Sequence, residues 1–416
     1  MSDVLEQLLA GSSADTVTWF VPGRIEVLGK HTDYAGGRSL LAAVDAGHTL
    51  TATARTDRVL CVRSEGMDGA VLLDLAAPGA RAEGSDGHWG GYVRTVADRL
   101  EANFPGTLRG ADITITSTLP RAAGMSSSSA LVVGLALVLI DLSGIAAEES
   151  FRAQITTTEQ LGEYLGTVEN GQSFGDLEGH RGVGTFGGSE DHIGMLCAVP
   201  DALVQYSFCP VRHERTIPFG PELALVVAVS GVEAEKTGAA LEDYNRVSLA
   251  VTEILHRWHR DSGREDPTLA DAVRGGPAAV SRLQALTAAD DHLRGRLTQF
   301  LDESERLVPG AALALEEGDL TEFGHLVDES QAGAERGLRN QVPETVDLQR
   351  LARELGAHAA SAFGAGFGGS VWALVPADGA EEFGRRWLES YRAAHPLRDA
   401  ATVTVTRPGG AARRLP

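Results

Sequence analysis

Between residues 119 and 130 the chain reads Leu119-Pro-Arg-Ala-Ala-Gly-Met-Ser-Ser-Ser-Ser-Ala130, a run of small residues between two segments of different period. Before it, Ala111–Leu119 alternates, with Ile113 and Ile115 on one face, as a strand does. After it a helix opens near Ser127, and Leu131–Leu142 is almost wholly apolar. A strand that passes through small residues into an apolar helix presents a helix N-terminus, with its unpaired N–H groups and positive dipole end. Small residues let that backbone approach an anion, and serine hydroxyls can complete a cap or ligate Mg²⁺. The alternative is a helix cap in a flexible loop. Four consecutive serines exceed what a cap needs, which favours phosphate binding.

The rest of the chain predicts a mixed α+β fold without strict βα alternation. Val17–Val21, Thr49–Arg55, Val59–Arg63 and Val71–Leu75 read as strands between turn signals. Trp89–Asn103 and Thr156–Asn170 have helical spacing. Strands are expected at His192–Val199, Leu203–Ser207 and Leu223–Ser230, and mostly helix from Gly238 to Glu354. A glycine-rich loop, a strand at Val371–Val375, a helix at Ala380–Ala394 and a strand at Thr402–Thr406 complete the chain. We place two domains at 1–212 and 213–416, with a soft boundary near Pro210–Pro221.

Two further glycine-bearing segments are candidates for chemistry. Gly364-Ala-Gly-Phe-Gly-Gly369 formally matches G-x-G-x-x-G, but it leads into an apolar strand where a dinucleotide fingerprint requires a helix. Nicotinamide binding is therefore rejected, leaving a phosphate-facing turn or a plain tight turn. Pro22-Gly-Arg-Ile-Glu-Val-Leu-Gly-Lys-His-Thr-Asp-Tyr-Ala-Gly-Gly37 gathers Arg24, Lys30, His31, Asp33 and Tyr34 in one strand-to-loop stretch. Such a loop could offer several hydrogen-bonding groups to a polyol, or be a solvated turn. Gly231–Thr237 approaches a phosphate loop of the Walker type but lacks the glycine before its lysine, and that reading fails.

Composition removes several classes. A formal net charge of −21 with no basic block argues against a nucleic-acid partner. Three widely spaced cysteines, Cys61, Cys197 and Cys209, suggest neither a disulfide framework nor a zinc motif. The N-terminus lacks a basic region followed by an apolar run, and Leu131–Leu142 is too short to span a bilayer. A cytoplasmic protein without nucleic-acid or membrane partners, monomeric or weakly homo-oligomeric, is expected.

Taken together, the three segments resemble the three motifs of the GHMP kinases, and specifically the galactokinase branch. Pro22–Gly37 resembles the galactokinase signature, whose usual core is G-R-x-N-x-x-G-E-H-T-D-Y. Leu119–Ala130 resembles the family's P-x-G-x-G-L-S-S-S-A phosphate loop, and Ser361–Val375 its C-terminal glycine motif. The resemblance implies a two-lobed fold, the N-terminal lobe like ribosomal protein S5 domain 2 and the C-terminal lobe ferredoxin-like, with the active site between them. It implies ATP and Mg²⁺ as cofactors and transfer of phosphate to the anomeric hydroxyl of galactose or a related sugar. Asp191 matches the catalytic aspartate and Arg24 the arginine that stabilises developing charge. Ser128 and Glu169 match the Mg²⁺ ligands. Lys30, His31, Asp33, Gly188 and Tyr244 match sugar-contacting positions. Trp89 and the loop residues Ala122, Ala123, Gly124, Met125, Ser126, Ser127 and Ser128 would lie near the nucleotide. Another branch, acting on mevalonate or homoserine, is opposed by His31-Thr-Asp-Tyr34. A non-catalytic sugar and ATP sensor is opposed by the presence of Asp191, Arg24 and the serine loop.

Four departures from the pattern bear on the substrate. Lys30 stands where galactokinases carry glutamate, and an ammonium has donors only. Either Lys30 reads a carboxylate at C6, making a uronic acid the substrate, or it pairs with a nearby carboxylate such as Glu190 and galactose is accepted. The phosphate loop has Arg121-Ala-Ala-Gly124 in place of continuous glycine. Asp191-His192 replaces the usual Asp-Gln. The extra stretch Gly175–Gly184 is expected to form a flap over the sugar.

Overall fold

Two sheets organise the molecule. The computed structural model describes residues 3–12, 14–67, 69–76, 88–120, 124–232 and 239–416, with backbone alone at 88 and 239–244. The first seven strands, β1 (Thr16–Leu28), β2 (Arg38–Ala54), β3 (Val59–Ser64), β4 (Val71–Asp74), β5 (Ala111–Ser117), β6 (Ala202–Ser207) and β7 (Arg212–Pro218), lie in one sheet. The next four, β8 (Leu223–Val229), β9 (Ala359–Ala362), β10 (Ser370–Pro376) and β11 (Thr402–Thr406), form a second in the order β11-β8-β10-β9. The last, β12 (Arg413–Leu415), returns to the first sheet and pairs with β1. The backbone thus leaves the first sheet after Pro218, enters the second at Leu223, and comes back after Thr406.

The long strand β2 makes the first sheet possible. It pairs with β1 over most of its length, with β5 through His48–Ala54, and with β6 through Arg38–Leu41. Two register shifts in the β1–β2 ladder, at Pro22/Arg24 and Glu26/Leu28, bracket Arg24 and Glu26. Bulges re-aim side chains, commonly beside active sites, and here both residues line the same cavity.

The helix Ser127–Ser143 packs on β1 and β2. It is buried nearly all round, as expected of a helix apolar on every face. Gly134 makes the close approach possible: a Cβ there would fall 2.3 Å from Leu50 Cδ1. The second sheet is covered by the helices Pro343–Glu354 and Ala380–Ala394, with Trp387 and Tyr391 fully buried between them and the strands.

One expected strand is a helix. The apolar content of residues 192–199 reads as a strand, but Glu190–Leu196 is helical. Ile193, Met195 and Leu196 are all buried, so their spacing carries no period that separates strand from helix. Glu190 and Asp191 sit in the first turn, where negative charge favours a helix. The expected flap is also different. Residues 175–184 fold back on the helices Glu149–Gln154 and Thr158–Asn170: Val183 N donates to Glu169 O, and Gln154 Nε2 donates to Asp176 Oδ2. None of them lines the cavity described next.

Candidate active site

The three glycine- and serine-bearing segments meet at one place. Arg24 of β1 donates from Nη1 to the carbonyl of Gly124 at 2.9 Å. Gly364 lies against both, since a Cβ there would come 3.1 Å from Gly124 O and 3.6 Å from Arg24 Nη2. His31, in the loop after β1, places Nε2 3.2 Å from Ala365 O and Nδ1 3.0 Å from Tyr34 Oη. Segments more than 300 residues apart in sequence thus form one wall around an open cavity.

Asp191 occupies the centre of this wall. Its Oδ1 receives Arg24 through Nε at 2.7 Å and lies 2.6 Å from Nη2. Its Oδ2 accepts from Ser126 Oγ at 2.6 Å and lies 3.1 Å from Ser129 Oγ. Burial alone would lower the Arg24 pKa, but Asp191, Glu190 and Glu26 together hold it above the ordinary value. The guanidinium is a fixed positive charge beside the aspartate.

Ser126 caps the helix Ser127–Ser143 with φ +53°, an unfavourable conformation for a residue with a side chain. Its hydroxyl makes no cap hydrogen bond and donates instead to Asp191 Oδ2. Ser129, one turn on and on the same face, donates to Glu169 Oε2 at 2.9 Å. Sequence reasoning named Ser128 for this neighbourhood and passed over Ser129. The signal was present in the three-residue spacing of Ser126 and Ser129. The oxygens gathered here, two carboxylates and serine hydroxyls, are a donor set that suits Mg²⁺. Among the described residues no group of three or more His, Cys, Asp or Glu side chains has the placement to hold a metal alone, so such a cation would keep waters or substrate oxygens in its shell.

The other expected site residues divide. Asp33 and Gly188 line the cavity and touch, since a Cβ on Gly188 would meet Asp33 Oδ2. Asp33 Oδ2 accepts the Glu190 N–H at 3.2 Å, and burial raises its pKa. Met125 is buried, its carbonyl accepting the Arg24 N–H. Ser127 Oγ lies 3.1 Å from His48 Nε2, while Ser128 is half-buried and outside the cavity lining. Trp89 packs against the main core and does not line the cavity. Ala122 and Ala123 lie outside the described residues, and Tyr244 is described by its backbone alone.

With this geometry in view, comparison with known proteins is decisive. Family profiles match at residues 8–54 (the galactokinase galactose-binding signature), 91–171 (the GHMP kinase N-terminal domain) and 311–393 (the GHMP kinase C-terminal domain). A galactokinase from Chloroflexus aurantiacus is 30% identical over 391 residues, covering 89% of this chain and 86% of that protein. The chain belongs to the galactokinase family of the GHMP kinases. A galactokinase from Roseiflexus sp. (strain RS-1) is 29% identical over 397 residues, with 93% and 90% coverage. The crystal structure of Lactococcus lactis galactokinase complexed with galactose superposes with a TM-score of 0.78 at 22% identity, covering 98% of this chain and 97% of that one. The L. major mevalonate kinase structure, at 17% identity and 94% and 96% coverage, reaches 0.55. The fold is that of the GHMP kinases, and the protein is a galactokinase-like sugar kinase.

Within the galactokinase frame, the residues that depart from the signature form their own cluster. Lys30 is 1% exposed and does not line the cavity. Its Nζ donates to Ser330 Oγ at 2.9 Å, and Ser330 donates in turn to Glu303 Oε1 at 2.8 Å. Glu303 also accepts the backbone N–H of Gly29 and of Lys30. The structure therefore turns Lys30 toward the C-terminal helices, away from the cavity. Glu26 stands where the signature has asparagine, a departure that sequence reasoning did not register. It is buried and lines the cavity, its Oε1 has no hydrogen-bond partner, and Lys30 is among the charges acting on it. Burial raises its pKa to about 7. The neighbouring Glu190 carboxyl is raised well above its usual range by burial and by the Glu26 and Asp33 carboxylates, and Ser39 Oγ donates to it at 2.6 Å. His192, in place of the usual glutamine, brings Nε2 within 3.3 Å of Glu169 Oε2, but neither ring nitrogen is aligned for a hydrogen bond.

Proposed function

We propose that this protein transfers the γ-phosphoryl group of ATP to the anomeric hydroxyl of galactose, giving galactose 1-phosphate and ADP. The observation that carries the reading is the division of labour at Asp191. One carboxylate oxygen of this cavity-lining residue is held by Arg24, and the other accepts from Ser126 and lies beside Ser129. In that role the aspartate takes the proton of the sugar's O1 as O1 bonds to the γ-phosphorus and the bond from that phosphorus to the bridging oxygen of ADP breaks. Arg24 stabilises the negative charge that develops, and positioning supplies most of the remaining acceleration. Glu169 and Ser128 would hold Mg²⁺, with Ser129 orienting the Glu169 carboxylate. The cation supplies charge neutralisation on the phosphates. His31, Asp33 and Gly188 would hold the sugar, and the start of the helix Ser127–Ser143 the phosphates. We place the enzyme in the cytoplasm. Among the described residues no helix is long and apolar enough to cross a membrane.

The test is ATP consumption with Mg²⁺ on galactose, galacturonate, glucuronate, arabinose and N-acetylgalactosamine, with Asp191→Asn as control. Galactose turnover that disappears in the control supports the reading. Turnover of a uronate alone would transfer it to a sugar acid. ATP binding without turnover of any sugar would favour a sensor.

A further inference from the structure

The loop that brings His31 and Asp33 to the cavity is held from behind. His31 has φ +58°, in a region that a residue with a side chain rarely occupies. Such a conformation persists only where its surroundings over-determine it. The surroundings here are one face of the helix Asp291–Asp302 and of its π-helical continuation Glu303–Leu307. Arg296, Gln299 and Glu303 follow one another at helical spacing on that face, and each takes hold of the loop backbone. Arg296 Nη2 donates to His31 O at 2.5 Å, Gln299 Nε2 donates to Lys30 O at 3.0 Å, and Glu303 Oε1 accepts from Gly29 N at 2.8 Å. None of the three lines the cavity.

Arg296 is the costly member of this set. It is fully buried, and among the described residues no carboxylate pairs with it. Its Nη1 donates to Gln299 Oε1 at 2.6 Å, and its Cζ lies 5.8 Å from the ring centroid of Tyr34 and 5.9 Å from that of Phe300. A buried charge with neutral partners costs stability, and an apolar side chain would fill the space more cheaply. What the guanidinium does, and an apolar chain cannot, is fix two acceptors in one plane. One is the His31 carbonyl. The other is the Gln299 amide, which is thereby oriented with its nitrogen toward Lys30 O.

We propose that Arg296 is a positioning residue of the sugar site: through the His31 carbonyl and Gln299 it holds residues 30 and 31 in the conformation that presents His31 and Asp33 to the cavity. The inference rests on the reading of this cavity as the sugar site. Affinity for the sugar is then set in part by a helix that never meets it, and Gln299 acts with Arg296 as one network.

The experiment compares wild type, Arg296→Met, Arg296→Lys, Gln299→Met and the double variant Arg296→Met/Gln299→Met in steady-state assays that vary galactose and ATP separately, with circular dichroism and melting curves to confirm folding. Met removes the donors, and Lys keeps the charge and a donor without the planar fork. We expect Arg296→Met to raise the galactose KM about tenfold or more, the worth of one buried hydrogen bond to a charged group, with kcat and the ATP KM little changed. Arg296→Lys should recover part of that loss, and Gln299→Met should show a smaller rise of the same kind. The double variant should fall short of the product of the two single effects, because the side chains share one network. A residue that only stabilised the fold would lower the melting temperature and the active fraction and leave the galactose KM in place. An unchanged galactose KM in folded Arg296→Met, or an equal rise in the ATP KM, overturns the proposal. If Arg296→Met does not fold, a wild-type galactose KM in both Arg296→Lys and Gln299→Met overturns it. If wild type turns over no sugar, the kinase reading fails separately. Calorimetric binding of galactose to wild type and Gln299→Met then tests the network, and equal affinity, or no binding by wild type, overturns it.

Discussion

Arg24 approaches Asp191 with both Nε and Nη2 directed at the same oxygen, Oδ1, and leaves Oδ2 to the serines of the helix cap. This side-on pairing separates two tasks on one carboxylate. One oxygen fixes its position and keeps it beside a cation, and the other accepts from the Ser126 hydroxyl. Asp191→Asn keeps the shape and removes the charge. We expect kcat to fall by about 10²–10⁴-fold, the usual worth of a positioned proton acceptor, together with a lower melting temperature, because the buried Arg24 loses its counter-charge. Retention of wild-type kcat in steady-state assays would remove Asp191 from the chemistry.

Replacing Arg24 by lysine should be severe although charge is conserved. A lysine ammonium cannot span Asp191 and Gly124 O as the planar guanidinium does. The expected loss in kcat is about 10²-fold or more. Arg24→Ala additionally leaves a partly buried carboxylate without its cation, and about 3–5 kcal/mol of stability should be lost. Chemical denaturation of both variants checks the order.

Ser129→Ala removes the hydroxyl that fixes Glu169. If Glu169 holds Mg²⁺, the half-saturating Mg²⁺ concentration should rise about tenfold or more, as when an orienting partner of a metal ligand is lost. A titration of activity against Mg²⁺ that is the same in the variant as in wild type would separate Ser129 from the metal.

Glu26 predicts a pH dependence of stability. Its folded pKa, about 7, exceeds the ordinary glutamate value near 4.3, so the folded state holds a proton that the unfolded state releases. Its contribution is complete below about pH 4.3 and is lost as pH rises through about 7, with a slope of at most about 1.4 kcal/mol per pH unit. Melting temperatures measured from pH 5 to 8 should fall less steeply in Glu26→Gln than in wild type. Parallel curves would mean that Glu26 does not hold the proton.

Much of this site was legible in the sequence because its signals are local. Strand, small residues and apolar helix around Leu119–Ala130 lie within one stretch, and the signature from Arg24 to Tyr34 is contiguous. What escaped depends on contacts distant in the chain. The direction of Lys30 is decided by Ser330, 300 residues away. The helix at Glu190–Leu196 reads like a strand because burial on all sides erases its period. Glu26 looks like an ordinary strand residue until two bulges turn it into the cavity wall. The partnership of β1 with β12 joins Thr18 to Leu415, and no local pattern announces it.

That last pairing has a consequence for synthesis. Asp141 is fully buried and receives Trp19 Nε1 from β1 and an ion pair from Arg414 of β12. As the chain emerges from the ribosome, the first sheet and its central helix can assemble long before Arg414 exists. Until then the edge of β1 lacks its neighbour and Asp141 lacks its counter-ion, a costly state for a buried charge. The strand and helix that carry Trp19 and Asp141 therefore wait for Arg414 to be translated, and a premature stop a few codons upstream of Arg413 would leave its defect in β1, a segment made long before.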